Sequence, residues 1–114
     1  MSRLRSDFWV SAYIRRCEIE GAFAMLRRRG SPEAGAIYLK LDRLDGTFRL
    51  LGPAPPDPDG ERADERRFAP LHKSETIDGA EAETRLKRQR DFDPDIWIIE
   101  VEDRQGRDFL DTGA

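Results

Sequence analysis

The sequence predicts an α+β fold with a mostly antiparallel sheet and two helices, on three observations. Apolar and polar residues alternate from Ile37 to Leu41 and again from Phe48 to Leu50, on either side of Asp45-Gly46. Period-two alternation marks a half-buried strand, and Asp-Gly between two such runs marks a hairpin turn. Helical spacing occurs twice, in Ile19, Ala22, Phe23 and Leu26 and in the capping-box pattern that opens at Asp78. Finally, Ile96 to Ile99 is apolar on both faces, as in a central strand covered from both sides.

In chain order, Asp7 to Arg15 reads as a first strand, with Phe8, Val10, Ala12 and Ile14 on one face and Trp9, Ser11, Tyr13 and Arg15 on the other. The stripe from Ile19 to Leu26 then predicts a helix over residues 16–29, with Gly21 inside it and Gly30 as its stop. Arg27, Arg28 and Arg29 in its last turn complement the helix dipole. Phe23 and Leu26 are expected to roof the sheet. The hairpin of residues 35–51 follows. Residues 53–65 hold four of the seven prolines and no large apolar side chain, which predicts a mobile Pro/Asp-rich loop inside one domain spanning 1–114. Arg66 to Leu71 reads as a short strand that Pro70 confines to an edge. A second helix runs from the Asp78 cap to about Arg90, with Glu81–Arg85 and Glu83–Lys87 as i,i+4 pairs and a thin stripe of Ala82 and Leu86. After Asp93-Pro94-Asp95 comes the Ile96–Val101 strand, and Gln105-Gly106 turns the chain into a last short segment. The predicted order is β-α-β-β-(β)-α-β, close to a split βαβ plan with an extra edge strand.

Composition narrows the function classes. A net charge of -3 gives no global attraction to nucleic acid or to an anionic membrane. Cys17 is the only cysteine, so neither an intrachain disulfide nor a cysteine metal cluster can form, which fits a reducing, cytoplasmic setting. The basic start is followed by no uninterrupted apolar stretch of the kind a secretory signal needs, and the longest apolar run, Ile96 to Ile99, is far too short for a membrane span. Phosphate-loop, dinucleotide-fingerprint, zinc-protease and nucleophile-elbow patterns are absent, so no cofactor is implied.

One likeness covers nearly the whole chain outside the proline loop. Arg88-Gln89 ahead of Asp93-Pro94-Asp95-Ile96-Trp97-Ile98-Ile99-Glu100-Val101-Glu102-Asp103, together with Leu4 to Arg15 and Gly30 to Gly35, resembles a family of short bacterial proteins known as domain of unknown function 1491. The resemblance implies a small bacterial cytoplasmic protein and carries over no catalytic or binding residue.

Four groups of residues carry candidate chemistry. His72-Lys73-Ser74-Glu75 concentrates reactive types, but neighbours on an extended segment point in alternate directions, so a surface or capping histidine is the plainer reading. Glu100 and Glu102 share a strand face roughly 7 Å apart, a spacing that suits a cation or an acid–base pair but equally suits ion pairing with Arg104 or Arg107. Arg85, Lys87, Arg88 and Arg90 gather positive charge at the end of the second helix, wrapped around it rather than in one stripe, where dipole compensation competes with phosphate or nucleic-acid contact. Trp9 and Tyr13 form an aromatic pair that either lies under a helix or serves as an interaction surface. Cys17 reads as a small buried apolar residue. The leading expectation is a non-catalytic module that binds a protein partner or itself through a sheet face or edge. The alternatives are a nucleic-acid- or phosphate-associated module using the second helix, and a small enzyme centred on His72 and Glu100/Glu102.

Overall fold

Two-sided burial of one strand organises the molecule. The strand is β5 (Trp97–Glu102), where Trp97, Ile99 and Val101 face one way while Ile98, with Ile96 just before it, faces the other. The structure, a computed structural model, describes residues 4–55 and 66–110. In it β5 runs parallel to β2 (Ile37–Asp42) and antiparallel to β1 (Phe23–Arg28). β2 pairs antiparallel with β3 (Phe48–Pro53), and β3 with the short β4 (Phe68–Pro70), giving the order β1-β5-β2-β3-β4. Three of the four pairings are antiparallel, as the sequence predicts.

A helix covers each face. Helix α1 (Ser6–Ile19) lays Val10, Tyr13 and Cys17 on Ile37, Leu39, Leu41, Leu51, Trp97, Ile99 and Val101. Helix α2 (Gly79–Phe92) lays Ala82 and Leu86 on Tyr38, Leu50, Ile77, Ile96 and Ile98. The sheet therefore separates two small cores. No helix among the described residues is long and apolar enough to cross a membrane.

The class and the inventory of elements match the sequence reading, and from β2 onward so does the order. The first two elements are exchanged. Residues 7–15, expected as a strand, lie in α1, and residues 16–29, expected as a helix, hold the end of α1 and all of β1. The physical reason lies in the buried positions, Ser6, Val10, Tyr13 and Cys17, which follow helical spacing. Phe8 and Ala12, which completed the apparent period-two pattern, face water. α1 also lacks a side-chain cap: Ser6 N–H and Asp7 N–H donate to the carbonyls of Glu33 and Pro32 at 3.1 and 2.9 Å, partners from a distant loop. Gly21, with φ +87°, is the left-handed residue that stops α1, a role expected of Gly30. Phe23 and Leu26 do not roof the sheet; they lie exposed in its edge strand.

Other local expectations hold. Asp78 caps α2 by accepting from Glu81 N–H at 2.7 Å, and β4 is a three-residue edge ending at Pro70. The hairpin forms, but residues 43–47 make a wider loop with left-handed Leu44 and Gly46, closed by Arg43 N–H to Thr47 O at 3.2 Å. Of the proline-rich loop expected at 53–65, residues 56–65 lie outside the described ones.

The entry to β5 is gripped by the β1–β2 connection. Asp95 O accepts from Ser31 N–H at 2.9 Å, and Trp97 Nε1 donates to Ser31 O at 2.8 Å. A Cβ on Gly30 or Gly35 would collide with the Asp95 carbonyl oxygen. Gly30 is thus needed for close approach rather than for helix termination. We expect Gly30→Ala to cost about 3 kcal/mol or more, because the obstacle is backbone. Gly21→Ala, with open space around it, should cost about 1 kcal/mol from its positive φ. Urea midpoints of the two variants test this order.

Candidate functional site

β2 carries one charge into an otherwise apolar run. Lys40 is only 7% exposed. A buried ammonium is costly unless paired, so its neighbours must supply carboxylates. Glu83, on the first turns of α2, stands 2.5 Å from Lys40 Nζ, and Glu100 on β5 stands at 3.7 Å. Arg27 closes the set, binding Glu83 through both guanidinium ends at 2.7 and 2.8 Å and Glu100 at 3.1 Å. Strand alternation puts Arg27 on the same face as Met25, whose partner in β5 is Glu100, and the β1–β5 register shifts at this position, between Leu26 and Arg28. Two cations and two anions thus cancel. The Arg27 guanidinium, with help from Lys40, holds the Glu83 carboxyl well below its usual value, at about 2.

This network fixes α2 to β1 and β2, and it answers for Glu100. The sequence left Glu100 and Glu102 to a cation or to Arg104 and Arg107; the structure gives Glu100 to Arg27 and Lys40 instead. Arg107 takes Asp103, at 2.8 and 3.0 Å, and this pair holds the Asp103 carboxyl below its usual value. Asp42, Glu100 and Glu102 bring their carboxylates within 4.8 Å of one another at the ends of the parallel strands β2 and β5. One of the three already spends its charge on the chain's own cations.

His72 is equally committed. Its Nε2 accepts from Leu50 N–H at 3.0 Å, and its Nδ1 lies 2.8 Å from Ser74 O. The pattern requires the neutral ring with the proton on Nδ1. The imidazole stands in for a missing strand carbonyl: β4 ends opposite Leu51, the isolated bridge to Ile77 sits at Phe48, and Leu50 between them would otherwise have no acceptor on that side.

The other sequence candidates separate. Arg85 pairs with Glu81 and donates to Leu71 O, while Lys87 pairs with Asp91, not with Glu83. Arg88 and Arg90 make no ion pair among the described residues and are exposed. Tyr13 is buried and donates through its hydroxyl to Asp108 O at 2.7 Å, with Trp9 stacked on it at 5.0 Å and against Phe68 at 5.2 Å. These two aromatics hold the 107–110 segment and one end of the sheet onto α1. Cys17 is inside the α1 core, where burial pushes its thiol up to about 11.

The feature that the sequence reading missed is the edge at β1. Among the described residues its outer side carries no partner strand. Phe23 is 59% exposed and Ile19, at the end of α1, 73%; Met25 and Leu26 are exposed as well. Half of the exposed large apolar side chains among the described residues therefore fall between positions 19 and 26. The signal was present as an apolar run next to three arginines, but a helix over 16–29 would have turned it inward.

Fold and site together define a small α+β protein whose interior polar groups bind one another and whose apolar surface gathers at a free strand edge. The chain belongs to the family described as protein of unknown function (DUF1491), whose model matches residues 4–111. The crystal structure of a DUF1491 family protein from Caulobacter crescentus CB15 is 39% identical, covers 94% of each chain and superposes with a TM-score of 0.79. An NMR structure of a DUF1491 family protein from the same organism is 40% identical over 96% of this chain and 94% of that one, at a TM-score of 0.78. The solution structure of a protein from A. tumefaciens is 39% identical over 88% of this chain and 86% of that one, at 0.75. Among curated proteins, none matches this sequence.

Two outcomes follow. Because Glu83 has a folded value of about 2 against 4.5, its contribution to stability is complete above about pH 4.5 and is lost as pH falls toward 2. Glu83→Gln should lower stability at neutral pH and flatten that acid decline, read from urea midpoints at stepped pH. His72→Ala should cost about 1–3 kcal/mol by orphaning the buried Leu50 N–H, and hydrogen exchange at the Leu50 amide should speed up.

Proposed function

We propose that this chain is a non-catalytic protein-interaction module that adds a strand to β1, its partner being a second copy of itself. The observation that carries this reading is the exposed apolar edge formed by Phe23, Met25 and Leu26 beside Ile19. A free edge presents unpaired N–H and C=O groups in a row, and apolar side chains beside them reward pairing with another strand. The bulge at Arg27 blunts one end, leaving Ala22 to Leu26 open.

A second copy fits because the segment is self-complementary. An antiparallel pair related by a two-fold axis through Ala24 sets Phe23 against Met25 and Ala22 against Leu26, with matching faces. It also brings the acidic approach, Glu18 and Glu20, alongside the basic exit, Arg27 to Arg29. Like charges are nowhere opposed. Trp9 and Tyr13 support this interface from within by anchoring α1, rather than by touching the partner.

Two other readings are weaker. Nucleic-acid contact through α2 has only Arg88 and Arg90 left to offer. An enzyme centred on His72 and Glu100 would need both groups released from the bonds that now hold them. We read residues 1–114 as one domain. Its lone cysteine and its resemblance to proteins from two bacteria support a bacterial cytoplasmic setting.

Sedimentation and light scattering at increasing micromolar concentration test the self-association. A dimer is expected, weakened at least about tenfold in Kd by Phe23→Glu or Met25→Glu, equivalent to about 1.4 kcal/mol. Both positions are exposed, so unchanged circular dichroism should accompany the loss. A strict monomer at every concentration overturns the reading.

A further inference from the structure

On the other side of the sheet from β1 lies a hollow that the interaction reading does not use. It has a volume of about 510 Å³ and is bounded by Arg43 after β2, Arg49 on β3, the Pro70–Glu75 segment after β4, and Gln105 and Gly106 after β5. Three stretches far apart in sequence, the β2–β3 hairpin, the segment after β4 and the turn after β5, meet there. A volume of this order suits a small molecule or part of one.

The lining is unbalanced in charge. Arg43, Arg49 and Lys73 contribute three cations and Glu75 the one carboxylate. None of the three cations has an ion pair among the described residues, so nothing there offsets the excess of positive charge but Glu75. Asp45, whose charge Arg43 feels, is occupied by Thr47 through its backbone N–H and hydroxyl at 2.9 and 2.5 Å. Arg43 is held against Gly106, so closely that a Cβ there would lie 3.2 Å from Arg43 Nε, and that Nε is shut from water without an acceptor. That contact fixes the stem of Arg43 at the wall of the hollow, so an anion there would meet a guanidinium that is already positioned.

We infer that this hollow binds the phosphate group of a small phosphorylated molecule. Guanidinium groups match phosphate oxygens two at a time, and a compact charge of about −2 offsets the excess that the lining leaves. The lining contains Pro70, His72 and Ser74 but no Phe, Tyr or Trp. Single-stranded nucleic acid is usually held by stacking its bases on aromatic side chains, so the lining favours a phosphate group over a nucleobase. The acidic chain as a whole also opposes a long polyanion. His72 is a wall rather than a ligand, since Leu50 and Ser74 hold both its nitrogens.

Inorganic pyrophosphate is the probe. Added at low salt to the ¹⁵N-labelled protein, it should shift the amides of Arg43, Lys73, Ser74 and Gly106 saturably, with affinity falling as salt rises. Arg49→Gln and Lys73→Gln should each weaken the affinity about tenfold while leaving the thermal midpoint unchanged. Absence of saturable shifts, shifts elsewhere on the surface, or affinity indifferent to both substitutions would overturn the proposal. So would saturable binding of a single-stranded oligonucleotide at these residues in the absence of any response to pyrophosphate. The β1 variant Phe23→Glu should leave the titration unaltered, which separates this site from the self-association.

Discussion

Covering β5 from both sides is the constraint on which the rest depends. A strand that is apolar on both faces cannot remain at a surface, and each buried Ile, Val or Trp side chain contributes on the order of 2 kcal/mol only if something lies on it. α1 supplies one cover and α2 the other. The parallel neighbour β2 follows from this arrangement, because the chain crosses over through α2 to return beside it. The glycines at 30 and 35 let the β1–β2 connection press on Asp95, so the start of β5 is held by backbone contact as well as by its two covers.

The electrostatics follow the same geometry. Lys40 lies where β2 passes under the beginning of α2, and its burial is tolerable only because Glu83 and Glu100 converge on it from two other elements. That convergence needs Arg27 to balance the second carboxylate, and Arg27 reaches it from the face of β1 that it shares with Met25. A network of this sort adds little net stability compared with apolar packing, but it penalises any alternative seating of α2 by leaving a charge unpaired. It also takes up Glu100, one of the two carboxylates that, in the sequence, looked available for chemistry.

Much of this was legible beforehand, for reasons that differ by region. The hairpin, the edge strand ended by Pro70, the Asp78 cap and the central place of Ile96–Val101 all rest on local rules, and each stands in the structure. The first thirty residues went the other way because α1 has apolar residues on several sides. Phe8 and Ala12 lie outside its buried stripe and mimic a strand pattern, while its N-terminal donors are satisfied by Pro32 and Glu33 carbonyls rather than by a readable cap. The site was less visible. Lys40 inside an apolar strand was a cue that carboxylates must meet it, but which ones is decided by packing between elements separated by more than forty residues. Likewise, nothing in His72-Lys73-Ser74 announces that the imidazole completes the hydrogen bonding of β3. The meeting of Arg43 and Arg49 with Lys73 requires the sheet order itself.

The position of β5 in the chain has a consequence for how the protein comes into being. During synthesis β1 and the β2–β3–β4 unit leave the ribosome well before the strand that must lie between them. Until it arrives, β1 has no neighbour to pair with and neither α1 nor α2 has a complete floor to rest on. The pairings of β1 and β2 with β5, and the packing of both helices on it, therefore wait for the end of the chain and join segments distant along the polypeptide, the circumstance that slows folding and prolongs exposure of sticky intermediates. A newly made chain of this kind depends on the last strand inserting before the waiting halves find other company.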